Sequence, residues 1–382
     1  MKIGMVYDAI YPYVNGGGEK RIYELSKRLV AQGHEVHLFG VKWWDGSDII
    51  EKEGMVLHGV CGKMELYVNG RRSISEAIIF SVKLLPHLVK ERYDIIDVTA
   101  FPYFSCFTTR LISIYKGTPM IITWHEVWGD YWYEYMGKSG FFGKTIEYVA
   151  SKLGKKSIAV SRMTENNLEL LGIDKGNIHM IPNGVDIKRI NSIPPSTVKC
   201  DIIFVGRLIK EKNVDILLEA INIIREDFPY VQCHIIGGGP ERGRLVDLTV
   251  EYGLIGTVRF FEFMEHDEVI ARIKSSKMLV LPSSREGFGM VVIEAFACGA
   301  PVITVRKERN AASELISNGT GLIVGLNGEE LSDAISVLMN MKDDIREKMS
   351  ECVIDIARTY DWDSIVEQLT NLYYSQYVQE VK

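Results

Sequence analysis

Two glutamates separated by seven residues carry the most specific chemistry in the chain. Glu286 and Glu294 stand in Pro282-Ser283-Ser284-Arg285-Glu286-Gly287-Phe288-Gly289-Met290-Val291-Val292-Ile293-Glu294-Ala295-Phe296-Ala297-Cys298-Gly299-Ala300-Pro301, directly after an apolar run at 278–281. That order predicts a strand, a loop bearing Glu286, and a helix with Glu294 about one turn in. Gly287 and Gly289 free the backbone, so the first helical N–H groups can point at a phosphate. The two oxygens of Glu294 suit a ribose diol. Flanked by Ile293, Ala295 and Phe296, this carboxylate is costly to bury without such partners. Glu286, near the helix start, is equally explained as a charge complementing the helix dipole.

Four further places combine a strand end with polar or glycine residues. Arg207 in Val205-Gly206-Arg207-Leu208, followed by Lys212, puts two cations just past a strand, where they could hold a diphosphate. A solvated surface pair fits the same residues. Asn15-Gly16-Gly17-Gly18-Glu19 opens the first helix, where free N–H groups attract anions, though a glycine turn with no ligand fits it equally. Arg21 occupies the third position of the G-x-G-x-x-G pattern, which counts against a dinucleotide fingerprint. Gly237-Gly238-Gly239-Pro240-Glu241 repeats the strand–glycine–helix order, with Pro240 suited to a first helical turn; it reads as a tight turn as well as a phosphate loop. His125, in Thr123-Trp124-His125-Glu126, ends the apolar run 120–122, where it reads equally as a satisfied core histidine and as a residue pointing into the expected cleft.

The elements that must position these residues alternate from start to end. Short β-branched runs predict strands near 2–7, 35–40, 55–60, 94–99, 119–124, 157–161 and 178–181, and again near 200–206, 231–236, 257–261, 278–281, 301–305 and 321–324. Amphipathic stretches lie between them; the first, at 19–32, carries Ile22, Leu25 and Leu29 on one stripe and stops at Gly33. This is the rhythm of parallel sheets wrapped by helices. The segment 186–199, with Pro194-Pro195, interrupts it and serves as a linker. Two doubly wound domains follow, residues 1–186 and 187–361, with ligands expected at the carboxyl ends of the strands, in a cleft where the domains face each other. Trp43-Trp44 and Tyr131-Trp132-Tyr133-Glu134-Tyr135 fall in expected loops of the first half and could line an acceptor site or simply pack.

Taken together, Gly16-Gly17 with Glu19, His125, Pro182-Asn183-Gly184-Val185-Asp186, Gly206-Arg207 with Lys212, and Glu286 through Pro301 resemble the retaining glycosyltransferases of family 4. The resemblance runs over nearly the whole chain. It implies the GT-B architecture, an α/β fold of two Rossmann-like domains facing across a cleft, with the last helix, about 362–382, returning to the first domain. It also implies transfer of a sugar from a UDP-, GDP- or ADP-sugar to a hydroxyl of a glycan or lipid-linked glycan. By that resemblance Arg207 and Lys212 hold the donor diphosphate in place of a metal. Glu294 holds the ribose. Glu286 and the backbone of Phe288 and Gly289 meet the sugar hydroxyls, with Met290 beside them on the donor. His125 reaches the sugar from the opposite domain, and Gly16-Gly17 closes over it. No metal or cofactor is expected, and Asp361-Trp362-Asp363 reads as a helix cap. Arg306 through Glu314 departs from the family, many members having a glycine pair before the glutamate; Glu126 stands where an aspartate is common.

Composition narrows the alternatives. The 382 residues suit two domains, and the formal charge of −6 divides into +3 over residues 1–190 and −9 over 191–382. No domain is basic enough for nucleic acid to be the main partner. The six cysteines show no C-x-x-C spacing and fall mostly in apolar runs, the usage of a reducing compartment. No apolar run reaches membrane-spanning length and no leader stands out, so a cytoplasmic protein is expected. Lys144, Lys152, Lys155 and Lys156 beside Phe141-Phe142 could touch an anionic inner-membrane surface, or could be an ordinary solvated face. A sugar-nucleotide epimerase would need further acid–base groups. A nicotinamide-dependent dehydrogenase lacks its third glycine. A binding module without catalysis would not need Arg207, Lys212 and Glu294 together.

Overall fold

The computed structural model describes residues 1–68 and 71–381. The chain divides into two compact units, Met1–Asn183 with Trp362–Lys382, and Gly184–Asp361. The first unit begins β1 (Lys2–Val6), α1 (Gly17–Ala31), β2 (Glu35–Val41), β3 (Ile49–Lys52) and β4 (Met55–Cys61). A short hairpin, β5 (Tyr67–Val68) and β6 (Arg71–Arg72), leads into α2 (Ile74–Lys90), β7 (Ile95–Thr99), α3 (Phe104–Lys116) and β8 (Met120–Trp124). It continues through α4 (Tyr131–Met136), α5 (Gly140–Ser151), β9 (Lys156–Ala159), α6 (Arg162–Leu170) and β10 (Ile178–Met180).

These strands form one sheet in the order β10-β9-β8-β7-β1-β2-β4-β3, the hairpin excepted. Every pairing is parallel save β3 with β4, an antiparallel edge that the apolar rhythm did not announce because its residues are largely exposed. Strands buried on both faces must be apolar throughout. Ile95, Ile96 and Val98 in β7, and Ile121, Ile122 and Trp124 in β8, are all fully buried.

The second unit opens with α7 (Ile187–Ser192), so the expected linker is half helix, its amino end capped by Asp186 accepting from Arg189 N at 2.8 Å. The extended stretch at Pro194-Pro195 follows. Then come β11 (Cys200–Val205), α8 (Val214–Ile224), β12 (Cys233–Ile236), α9 (Arg242–Glu251), β13 (Val258–Phe261), α10 (His266–Lys274) and β14 (Ser276–Leu281). The unit closes with β15 (Arg285–Glu286), α11 (Met290–Ala297), β16 (Val302–Val305), β17 (Arg309–Asn310), β18 (Gly321–Val324), α12 (Gly328–Met339) and α13 (Asp343–Thr359). Its six-stranded sheet is wholly parallel, in the order β13-β12-β11-β14-β16-β18.

The final helix, α14 (Trp362–Val381), belongs to the first unit. Trp362, Ile365, Leu369 and Tyr373 recur at helical spacing and are fully buried, and Tyr373 donates to Asp97 at 2.6 Å. Arg28 of α1 pairs with Asp363 at 2.8 Å.

Strand order reverses between β1 and β7 in one sheet and between β11 and β14 in the other. Crevices open at such switch points, beyond the carboxyl ends of the strands. The glycine loop follows β1. Arg207–Lys212 and Glu286 follow β11 and β14.

Candidate functional site

In the second unit, the loop after β11 and the loop after β14 are tied to one another. Glu211 O accepts from Ser284 N at 2.8 Å, and the Asn213 amide donates to the carbonyls of Glu211 (3.1 Å) and Pro282 (3.0 Å). Asn213 itself is left-handed, with φ +47°, a conformation asparagine tolerates better than most residues. This clamp delivers the Lys212 ammonium to the Glu286 carboxylate, with which it forms an ion pair. Both side chains are only 14% exposed. Arg207, in the same loop, is exposed, and its guanidinium has no ionic partner among the described residues. The triple glycine lies beneath this loop: a Cβ on Gly237 would sit 1.9 Å from Gly206 O, and one on Gly239 2.3 Å from Leu208 O. Close backbone approach therefore accounts for Gly237 and Gly239, while a Cβ on Gly238 would meet open space. Pro240 precedes the helix, which starts only at Arg242.

Helix α11 starts at Gly289, whose φ is +96° and which supplies no side-chain cap. Its first N–H groups are thus left for another acceptor. Glu286 lies on β15, paired in parallel with β17, so Arg306–Glu314, where the sequence departs from its family, runs beside the carboxylate. Glu294 is 8% exposed and accepts from His266 Nε2 at 2.8 Å. His266 escaped the sequence reading. Its signal was the pattern of the other sites: first residue of a helix, just after a strand.

In the first unit the glycine loop and His125 come together. A Cβ on Gly18 would lie 3.3 Å from His125 Nε2 and 3.5 Å from the Tyr7 hydroxyl. That Nε2 is buried without a hydrogen-bond partner. Burial first, and the nearby Arg21 guanidinium second, lower the imidazole pKa to about 3, so His125 is neutral at physiological pH. Helix α1 also begins without a side-chain cap, at Gly16, with Gly17 its first residue. Arg21 does not spoil the packing of α1. It is 1% exposed and donates to Asn183 Oδ1 at 3.1 Å and to Pro182 O, which places the Pro182-Asn183 motif under the helix.

The first unit's expected aromatic loop is helix α4. Tyr131 and Trp132 are buried, stacked among Trp128, Phe101 and Tyr103, so packing, and no open site, explains them. Beneath them a second residue that escaped the reading, Glu147, accepts from Tyr103 Oη (2.6 Å), Trp128 N (2.7 Å) and Gly129 N (2.8 Å). Trp43 packs against the core, and Trp44 donates to Ser47 O at 2.8 Å. The lysines beside Phe141-Phe142 are engaged: Lys144 with Asp130 at 2.6 Å, Lys152 with the carbonyls of Leu171 and Gly172, and Lys156 with Gly176 O.

Two doubly wound sheets, with uncapped helix amino ends beyond their switch points, are those of the GT-B fold. Residues 15–189 match the family described as Glycosyltransferase Family 4, and residues 188–354 that described as Glycosyl transferases group 1. The chain belongs to the family 4 glycosyltransferases. Among curated relatives, glycogen synthase of Mycobacterium tuberculosis is 24% identical over 396 residues, covering 98% of this chain and 94% of the relative. Among solved structures, sucrose-phosphate synthase from Thermosynechococcus elongatus superposes with a TM-score of 0.82 at 21% identity, over 99% of both chains. Anabaena HepE in complex with UDP-glucose superposes at 0.76 and 18% identity, over 98% of this chain and 100% of that one.

Proposed function

We propose that the protein transfers a sugar, with retention and without a metal, from a nucleoside-diphosphate sugar to a hydroxyl of a glycan or lipid-linked glycan. The observation that carries this reading is the Lys212–Glu286 ion pair, held by the loop clamp in the same unit as the uncapped start of α11. A UDP-sugar is the first donor class to try, since a relative of the same fold is seen with UDP-glucose. Glycogen synthase among the relatives favours a glycan acceptor.

In this reading Arg207 and Lys212 bind the diphosphate, Glu294 the ribose, and Glu286 with the Phe288–Met290 backbone the sugar hydroxyls. His266 is a positioning residue that fixes the Glu294 carboxylate. In the other unit, neutral His125 hydrogen-bonds a hydroxyl of the transferred sugar, and Gly16 and Gly17 supply N–H groups to the donor. As the anomeric C–O bond breaks, negative charge grows on the β-phosphate, where two cations stabilise it. The acceptor oxygen bonds to the anomeric carbon from the same face, and its proton passes to the leaving phosphate oxygen.

Removing one such preorganised charge donor costs roughly 100- to 1,000-fold in kcat. Lys212→Ala is expected to lose transfer by that factor with its circular dichroism unchanged, and the parent to keep its activity in excess EDTA. A panel of nucleotide sugars screened by thermal stabilisation finds the donor. Near-parental turnover by Lys212→Ala, or a requirement for added divalent metal, overturns the reading.

A further inference from the structure

We propose that the outer face of α2 and α3 docks on an anionic lipid bilayer. The two helices lie side by side and run in the same direction. Ser81 Oγ donates to Phe104 O at 2.6 Å and meets Thr108 Oγ1 at 2.9 Å, while eight residues further along each helix Lys116 Nζ reaches Val89 O. Spacings of three and four residues lie on one helix face. On α2 that face carries Ile74, Ile78, Val82 and Val89, exposed by 52, 43, 67 and 43%. On α3 it carries Phe107, Leu111, Ile114 and Tyr115, exposed by 37, 58, 65 and 75%. On the helical wheel each stripe adjoins the Ser81–Thr108 seam, so the eight side chains form one patch. A soluble surface rarely leaves so many large apolar groups contiguous without a use for them.

Charge decides what covers the patch. Lys83 and Lys90 flank it on the outer side of α2, and Arg110 flanks it on the outer side of α3. The one acidic residue on either helix, Glu76, is 2% exposed and lies 3.6 Å from Arg72. A second copy of the chain would set these cations against their own kind, whereas anionic headgroups would neutralise them. Apolar side chains entering the acyl boundary below a rim of Lys and Arg is the arrangement of an interfacial helix pair. The docking rests on neither the donor nor the acceptor assignment.

The test is cosedimentation of the full chain with vesicles of phosphatidylcholine alone or mixed with phosphatidylglycerol. Binding is expected with the mixed vesicles, weakening as salt rises. Neutralising Lys83, Lys90 and Arg110 together to Gln should weaken it on the order of 100-fold. Val82→Glu with Leu111→Glu and Ile114→Glu should abolish it, leaving circular dichroism and transfer to a soluble acceptor unchanged, because all three side chains are exposed. Parental protein remaining in the supernatant, equal binding to neutral vesicles, or unchanged binding by the triple glutamate variant overturns the proposal. So does a parental dimer in sedimentation velocity that the glutamates convert to monomer. Loss of transfer in a variant that still binds vesicles bears on the catalytic reading alone.

Discussion

Lys212 and Glu286 are 74 positions apart in sequence, and each had a plain alternative, a solvated surface charge for Lys212 and a complement to the helix dipole for Glu286. What the residue pattern could not contain was their pairing, which depends on β11 and β14 being neighbours. Glu294 was legible because a carboxylate among apolar neighbours asks for a partner. The partner, His266, was not, since a histidine beginning a polar helix carries no such tension. His234 is a different case. It sits in β12, 1% exposed, with Nδ1 buried and unpartnered. Burial, then Arg272 and Arg259, lower its pKa to about 4. Between pH 6.5 and about 4 the unfolded chain therefore binds a proton that the folded chain refuses, so stability falls as pH falls through that window. An apolar side chain of similar size removes this loss. His234→Leu is expected to raise the urea midpoint more at pH 5 than at pH 7, and an equal change at both pH values would contradict the argument.

At the scale of elements, all thirteen expected strands are present, and the central ones were plainest because a strand buried on two faces must be written in apolar residues. Strand β3, largely exposed, and the two-residue strands β5, β6, β15 and β17 have no apolar run to show, which is why they went unread. The aromatic segment 131–135, read as a loop, is a six-residue helix too short to show a period, and of its rings Tyr131 and Trp132 are core while Tyr133 is exposed. Helix α11 shows how tightly a site-bearing element is fitted. Gly289 has φ +96°, and a Cβ there would fall 2.7 Å from the Ala312 methyl. Gly289→Ala combines that clash with a backbone conformation alanine avoids, at a cost of roughly 1–3 kcal/mol. Its thermal midpoint should drop by a few degrees, with donor affinity falling too as the helix start shifts. An unaltered midpoint would mean that the loop is slacker than its geometry.

Over the whole molecule, two sheets were readable from rhythm alone, and the charge contrast between the halves shrinks over the two units to 0 for Met1–Asn183 with Trp362–Lys382 and −6 for Gly184–Asp361. The unit made of Gly184–Asp361 is continuous in sequence, and its core is its own. Expressed as residues 184–361, it is expected to unfold cooperatively in urea. Residues 1–183 alone should aggregate or remain unfolded, because six buried side chains of α14 (Trp362, Ile365, Val366, Leu369, Leu372 and Tyr373) are missing from their core. Supplying 362–382 in the same chain should restore a cooperative transition, and a well-folded 1–183 fragment would show that α14 is dispensable.

The placement of α14 also orders events on the ribosome. Translation delivers the first sheet early, yet its closing helix emerges only after some 180 intervening residues have been made, at roughly 5–20 per second. For that interval of ten seconds or more Asp97 awaits Tyr373, and an apolar strip lies bare to chaperones, while the later-made unit is free to finish folding before the earlier one.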